Sequence, residues 1–230
     1  MTTIPGNLQH VRARIATACQ RAGRGVEEVT LLAVSKTFGA DAVRAAAAAG
    51  QRAFGENYIQ EGVEKIAALR DLGLMWHCIG PIQSNKTRLV AEHFDWVHTV
   101  DRLKIAERLS AQRPADRPPL NVCIQVNIDG GANKSGVAPG EALALARPVA
   151  ALPQLKLRGL MTIPEIAPDF EAARAVHAGA RALFDQLNAD GLGLDTLSMG
   201  MSDDLEAAIA AGSTMVRIGT AIFGSRAPKP

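Results

Sequence analysis

The sequence predicts an α/β fold, a (β/α)8 TIM barrel made as a single domain with an extra helix at its start. Three observations carry that prediction. Eight short apolar runs rich in β-branched residues recur along the 230 residues. Segments of helical periodicity separate them, many rich in alanine. The runs are continuous rather than alternating, as strands buried on both faces require. Strands alternating with helices build a parallel sheet, and barrels of eight such units begin at about 200 residues. The rival, a doubly wound open sheet, rarely needs eight strands in so short a chain.

The elements follow in order. Leu8, Val11, Ile15, Ala18 and Ala22 recur at helical spacing after Asn7, a residue suited to capping. Arginines at 12, 14, 21 and 24 give this segment the look of a transit peptide, but its apolar stripe predicts a packed amphipathic helix. Strands are expected at 29–35, 52–55, 75–79, 96–100, 120–128, 155–161, 195–199 and 214–218. Helical stretches such as DAVRAAAAA at 41–49 and DDLEAAIAA at 203–211 lie between them. RPADRPP at 113–119 has the length of an ordinary helix-to-strand loop. Residues 225–230, with two prolines and no apolar anchor, read as a frayed tail. The domain therefore runs over 1–230.

Composition narrows the function. Hydrophobic residues make up 47% and charged residues 21%, which excludes a disordered or fibrous chain. The formal net charge of +2 offers no basis for a nucleic-acid or membrane-surface partner. No run approaches the ~20 apolar residues that span a bilayer. Cys19, Cys78 and Cys123 are odd in number, far apart and without CxxC spacing. That pattern fits a reducing cytoplasm better than a disulfide framework or thiolate metal site. His10, His77, His93, His98 and His177 lack metal-ligand spacing and read as structural or surface groups.

In a barrel, chemistry gathers where strands run into the loops that follow them. Lys36 ends the first strand, where apolar walls would lower its pKa and leave some neutral amine for Schiff-base formation. Gly200 and Ser202 follow the seventh strand, and Gly219 and Thr220 the eighth. Loops after these two strands commonly cradle phosphate, through glycine, amide N–H groups and a helix start. Asp203 and Asp204 are expected to open the helix after Ser202. Together with Glu56 and Asp101, they read as first-turn acids complementing helix dipoles. Arg217 shares a strand face with Gly219, so it points into the barrel and must meet an acceptor, a carboxylate or a ligand ring nitrogen. An aldehyde-reactive lysine, a phosphate cradle and a buried arginine describe a site for pyridoxal 5′-phosphate (PLP).

The segments AVSKT at 33–37, FGENYIQE at 54–61, WHCIGPIQSNK at 76–86, KSG at 134–136, LRGLMTIP at 157–164 and LSMGMSDDLEAAIAAGSTMVRIGTAIFG at 197–224 cover much of the chain. They resemble the YggS/PROSC family of PLP homeostasis proteins, itself similar to the barrel domain of alanine racemase without that enzyme's β-rich second domain. The resemblance implies that Lys36 carries PLP as an internal aldimine. It implies that Ser202, Gly219 and Thr220 hold the phosphate, and that Arg217 faces the pyridine nitrogen. Asn57 would line the pocket, with His77 and Met199 as further wall residues. Lys134 matches a second PLP contact of some relatives, although DGGAN precedes it where the family carries an acidic residue. Cys78 stands where phenylalanine is usual.

An arginine beside the ring nitrogen disfavours its protonation and weakens PLP as an electron sink. The chain has one tyrosine, Tyr58, and no second domain to bring another. The expected function is therefore intracellular PLP storage, buffering or delivery, without established catalysis. The expected partners are PLP itself and, transiently, apo-PLP-dependent enzymes, with the chain a monomer. One alternative is a slow amino-acid racemase using Tyr58, Lys134 or His77 as acid or base. The other is a Schiff-base aldolase acting on a sugar phosphate.

Overall fold

The computed structural model describes residues 3–131 and 135–225. Its strands are β1 (Thr30–Val34), β2 (Ala53–Glu56), β3 (Met75–Cys78), β4 (Trp96–Val100), β5 (Leu120–Gln125), β6 (Leu155–Met161), β7 (Thr196–Ser198) and β8 (Met215–Ile218). They pair in parallel in sequence order and close into a barrel when β8 pairs with β1. The expected strands are all present. The largest boundary difference is at β5, expected to reach 128. There Val126 still donates its amide to Met161 of β6 but also bridges Val137, and the Asn127 amide donates to the Val137 carbonyl.

The helices are α1 (Ile4–Arg21), α2 (Ala40–Ala48), α3 (Ile59–Ala68), α4 (Thr87–His93), α5 (Leu103–Gln112), α6 (Ala142–Ala150), α7 (Phe170–Ala189), α8 (Leu205–Ala210) and α9 (Thr220–Phe223). Continuous apolar strands give the barrel two buried faces. Ala33, Phe54, Val97, Val122, Leu160, Leu197 and Val216 face the helices and share the large outer core. Leu32, Val34, Ile79 and Met215 fill one part of the interior, and Trp96, Cys123 and Met161 another.

Helix α1 buries Leu8, Val11, Ile15 and Ala18 against α2, α8 and α9. Its cap is Thr3, whose hydroxyl accepts from the Gly6 amide at 3.2 Å, and not Asn7. Pro5 explains the earlier start, because a first-turn proline loses no helix hydrogen bond. Asn7 instead donates its side-chain amide to the Ile222 carbonyl at 2.9 Å, tying α1 to α9. The loop at 113–119 is present, pinned by Arg113, which donates to the carbonyls of Ala91, Phe94 and Pro118.

The three cysteines are buried and unpaired. Burial pushes the Cys78 and Cys123 thiols up to about 12, far from a reactive thiolate. Among the described residues no helix is long and apolar enough to cross a membrane, and no cluster of histidine, cysteine and acidic groups could hold a metal. Residues 226–230, most of the expected tail, lie outside the described residues, as does Lys134.

Candidate functional site

The end of β1 is built around a clamp. Ser35 donates its hydroxyl to Glu56 at 2.5 Å, and its carbonyl accepts from the Lys65 ammonium at 2.8 Å. Lys65 also reaches Glu56 at 2.8 Å and Glu61 at 2.6 Å. Glu61 in turn accepts the Thr37 amide at 2.7 Å. Thr37 has φ +70°, a left-handed conformation that β-branched residues rarely adopt. Lys36 sits between these two anchored neighbours, so its backbone is fixed from both sides. Glu56, expected in a first helical turn, instead ends β2 and is fully buried. Burial raises its pKa, against the opposing pull of Lys65 and Ser35.

The loop after β7 is held equally firmly. Gly200 has φ +98°, and a Cβ there would come within 2.5 Å of the Ala208 side chain. Asp204 precedes α8 rather than lying inside it. Its carboxylate accepts the Met201 amide at 2.7 Å and bonds the buried His177 ring at 2.8 Å. These two bonds and the charges of His177 and Arg217 outweigh desolvation and hold Asp204 below the usual carboxylate range. Arg14 of α1 donates to the Ser202 carbonyl at 2.9 Å and forms a two-pronged bridge to Glu206. The added N-terminal helix thus braces the site. Asp101 likewise lies outside a first turn, since α5 begins at Leu103.

Gly219 and Thr220 start α9, whose first N–H groups have no intrahelical partner. A Cβ on Gly219 would meet the Val34 carbonyl at 3.2 Å, so glycine allows β8 and β1 to close tightly here. Phe38 stacks on Phe223 with ring centroids 5.2 Å apart, joining the loop after Lys36 to α9.

These elements enclose a cavity of about 270 Å³ at the C-terminal ends of β1, β2, β7 and β8. Six of the eight expected site residues line it: Lys36, Asn57, Ser202, Arg217, Gly219 and Thr220. His77 and Met199 do not. His77 lies one layer deeper inside the barrel, with Ile79, two residues on, at the cavity wall. Met199 points outward into the core formed with Leu205, Ala208 and Ile209, and Met201 lines the cavity instead. Strand alternation holds the signal: Ser198 shares the inward face with Arg217, so the next residue faces the helices.

Arg217 is buried and, among the described residues, forms no carboxylate hydrogen bond. It donates to the Ser198 hydroxyl and the Thr162 carbonyl, both at 2.8 Å. Burial lowers its pKa to about 10, so it remains a cation at neutral pH. Of the two acceptors expected, a carboxylate or a ligand ring nitrogen, neither takes these hydrogen bonds, which go to two neutral oxygens of the chain. Asn57 contributes a buried Oδ1 without a partner among the described residues. A Cβ on Gly80 would lie 2.0 Å from the Asn57 carbonyl, which fixes where this residue sits. Phe38, Ile163, Met201 and Asp203 were not legible as lining residues, because loop paths bring them there rather than strand periodicity. Lys65 carried a signal: it shares the buried stripe of α3 with Gly62, at i+3, an unusual place for a lysine.

The site therefore offers an amine, a cation hydrogen-bonded among the described residues only to neutral oxygens, and a turn suited to an anion, all on one cavity. The family of the alanine racemase N-terminal domain matches residues 6–227. A pyridoxal phosphate homeostasis protein of Pseudomonas aeruginosa is 63% identical over 226 residues, covering 98% of this chain and 97% of its own. The chain belongs to the family of pyridoxal phosphate homeostasis proteins. The Escherichia coli K12 member is 58% identical over 98% of both chains. PipY of Synechococcus elongatus, solved with PLP bound, superposes with TM-score 0.79 at 39% identity, covering 91% of this chain and all of its own. Alanine racemase of Corynebacterium glutamicum shares the fold, with TM-score 0.67 at 21% identity, over 95% of this chain and 62% of its own.

Proposed function

We propose that this chain binds PLP in the barrel-mouth cavity and serves intracellular PLP homeostasis, storing, buffering or delivering the cofactor, as one domain spanning 1–230. The convergence of Lys36, Arg217 and the Ser202, Gly219 and Thr220 turns on one cavity carries the reading. PLP supplies, when bound, an aldehyde for a lysine amine, a phosphate dianion and a ring nitrogen. Lys36 is the amine presented to the aldehyde. Ser202, Thr220 and the first amides of α9 hold the phosphate, as helix starts do. Arg217 presents N–H donors to the ring nitrogen. The unpartnered Asn57 oxygen accepts from the occupant or its hydration. The names of the relatives, and PLP in the PipY structure, support the same reading.

The carrier role, without catalytic turnover, is favoured over a racemase by the placement of two of the three possible acids and bases, the third, Lys134, lying outside the described residues. Tyr58 is half exposed and absent from the cavity lining. His77 is sealed in the barrel against His98. The protein acts in the cytoplasm as a monomer, meeting apo-PLP-dependent enzymes transiently.

The test is the visible spectrum of purified protein, before and after adding an apo-PLP-dependent enzyme. A yellow protein, colourless in Lys36→Ala, that restores activity to the acceptor supports binding and delivery. A colourless wild-type protein after PLP addition would remove the reading. Complete retention of colour, with no acceptor activity recovered, would leave storage and remove delivery.

A further inference from the structure

The barrel interior contains a polar chain that reaches the cavity from below. Arg217 Nη1 donates to Ser198 Oγ at 2.8 Å, Ser198 Oγ lies 2.9 Å from His98 Nδ1, and His98 Nε2 lies 2.9 Å from His77 Nδ1. All four residues are buried, and the His77 ring stacks on Trp96. Their protons can be counted. A guanidinium only donates, so Ser198 accepts from Arg217 and passes its single hydroxyl proton to His98 Nδ1. His98 then carries its proton on Nε2 and gives it to His77 Nδ1. His77 carries its own proton on Nε2, which has no partner among the described residues. The reverse order would place two donors on the serine oxygen and leave its proton unused. Burial pushes His77 down to about 3, and burial together with His77 and Arg217 holds His98 well below its ordinary value. Both rings are neutral.

We infer that His98, acting through Ser198 and backed by His77, is a positioning residue for Arg217, turning the serine lone pairs toward the guanidinium. A chain of neutral dipoles takes the place of a hydrogen-bonded carboxylate, and Asp204 acts on Arg217 through charge alone. The remaining N–H groups of Arg217 are thereby left to an occupant of the cavity that it lines. The link to PLP rests on the function proposed above; the order of protons does not.

Nitrogen-15 NMR of the histidine side chains in cofactor-free protein reads that order. The expected result is a neutral His98 and a neutral His77, each protonated on Nε2, from neutral to mildly acidic pH. Ser198→Ala removes the donor that sets the direction, so both tautomers of His98 become populated. A wild-type His98 protonated on Nδ1 overturns the inference, as does an unchanged His98 signal in Ser198→Ala. In PLP-loaded protein, His98→Leu weakens PLP retention about tenfold and shifts the visible band, while His98→Asn, which keeps an acceptor near Nδ1, restores both. Equal retention and an equal band in wild type and His98→Leu overturn the connection to the cavity. Should wild-type protein bind no PLP, the functional reading falls, and the NMR experiment still decides the proton order alone.

Discussion

Two cations are buried on opposite sides of the β-barrel wall, and they are neutralised differently. Lys65, on the helix side, meets two carboxylates, Glu56 and Glu61, and a backbone carbonyl. Arg217, on the inside, meets a serine hydroxyl and a backbone carbonyl. The first arrangement consumes its charge within the fold and fixes the backbone on both sides of Lys36. The second spends its hydrogen bonds on neutral oxygens beside a cavity, and Asp204 acts on it through charge alone. A buried cation hydrogen-bonded to carboxylates is a structural fastening, whereas one hydrogen-bonded only to neutral oxygens keeps donors for a ligand. Buried ionisable groups with unusual surroundings cluster at functional sites for this reason.

Substitution separates the two. Lys65→Met strands the Glu56 charge in an apolar setting and is expected to cost about 3–5 kcal/mol of stability, measured by urea unfolding. Glu56 already has a folded pKa above its unfolded one, so the native state holds more protons and ionisation of Glu56 weakens the fold. Without Lys65, stability should fall further as pH rises above the ordinary glutamate value of about 4.3. A pH-independent loss would show that the contact, and not the charge, matters.

The inner chain responds in the opposite direction. His77 and His98 have folded pKa values below the ordinary histidine value, so the unfolded chain binds more protons. Their contribution is present above about pH 6.5 and is lost as pH falls toward about 3 for His77. The expected slope is about 1.4 kcal/mol per pH unit for each histidine. His77→Phe should therefore reduce the slope by about one proton in unfolding curves measured at several pH values.

Arg217→Met is the complementary case. Its removal takes away a buried charge without stranding a carboxylate hydrogen-bond partner, so stability should change by less than in Lys65→Met. PLP affinity, followed by equilibrium titration, should fall at least tenfold, about 1.4 kcal/mol. Equal losses of stability in the two variants would erase the distinction drawn here. The smallest effect is expected for Ser202→Ala. Loss of one hydroxyl donor should weaken PLP binding severalfold, about 1 kcal/mol, with little change in unfolding.

The barrel was legible because its strands are buried on both faces and so appear as uninterrupted apolar runs. Lys36, Ser202, Gly219 and Thr220 were legible because strand ends and the glycines after them mark the barrel mouth. Arg217 was placed inward by alternation alone, but its partners were not foreseeable. Ser198 ends β7 and Thr162 follows β6, and the pairing of His98 with Ser198 spans 100 positions of sequence. The apolar stripe begins at Leu8 and so points to Asn7 as the cap, while the helix itself begins at Ile4, with Pro5 in its first turn. Resemblance puts His77 and Met199 at the cavity but carries neither the depth of His77 in the barrel nor the outward facing of Met199. The helix-dipole role given to Glu56 failed because β2 extends one residue further than expected.

The most direct test is borohydride reduction of PLP-treated protein followed by peptide mapping. A pyridoxyl adduct confined to the peptide containing Lys36, absent from Lys36→Ala, is the predicted result. An adduct on another lysine with Lys36 unmodified would contradict the account.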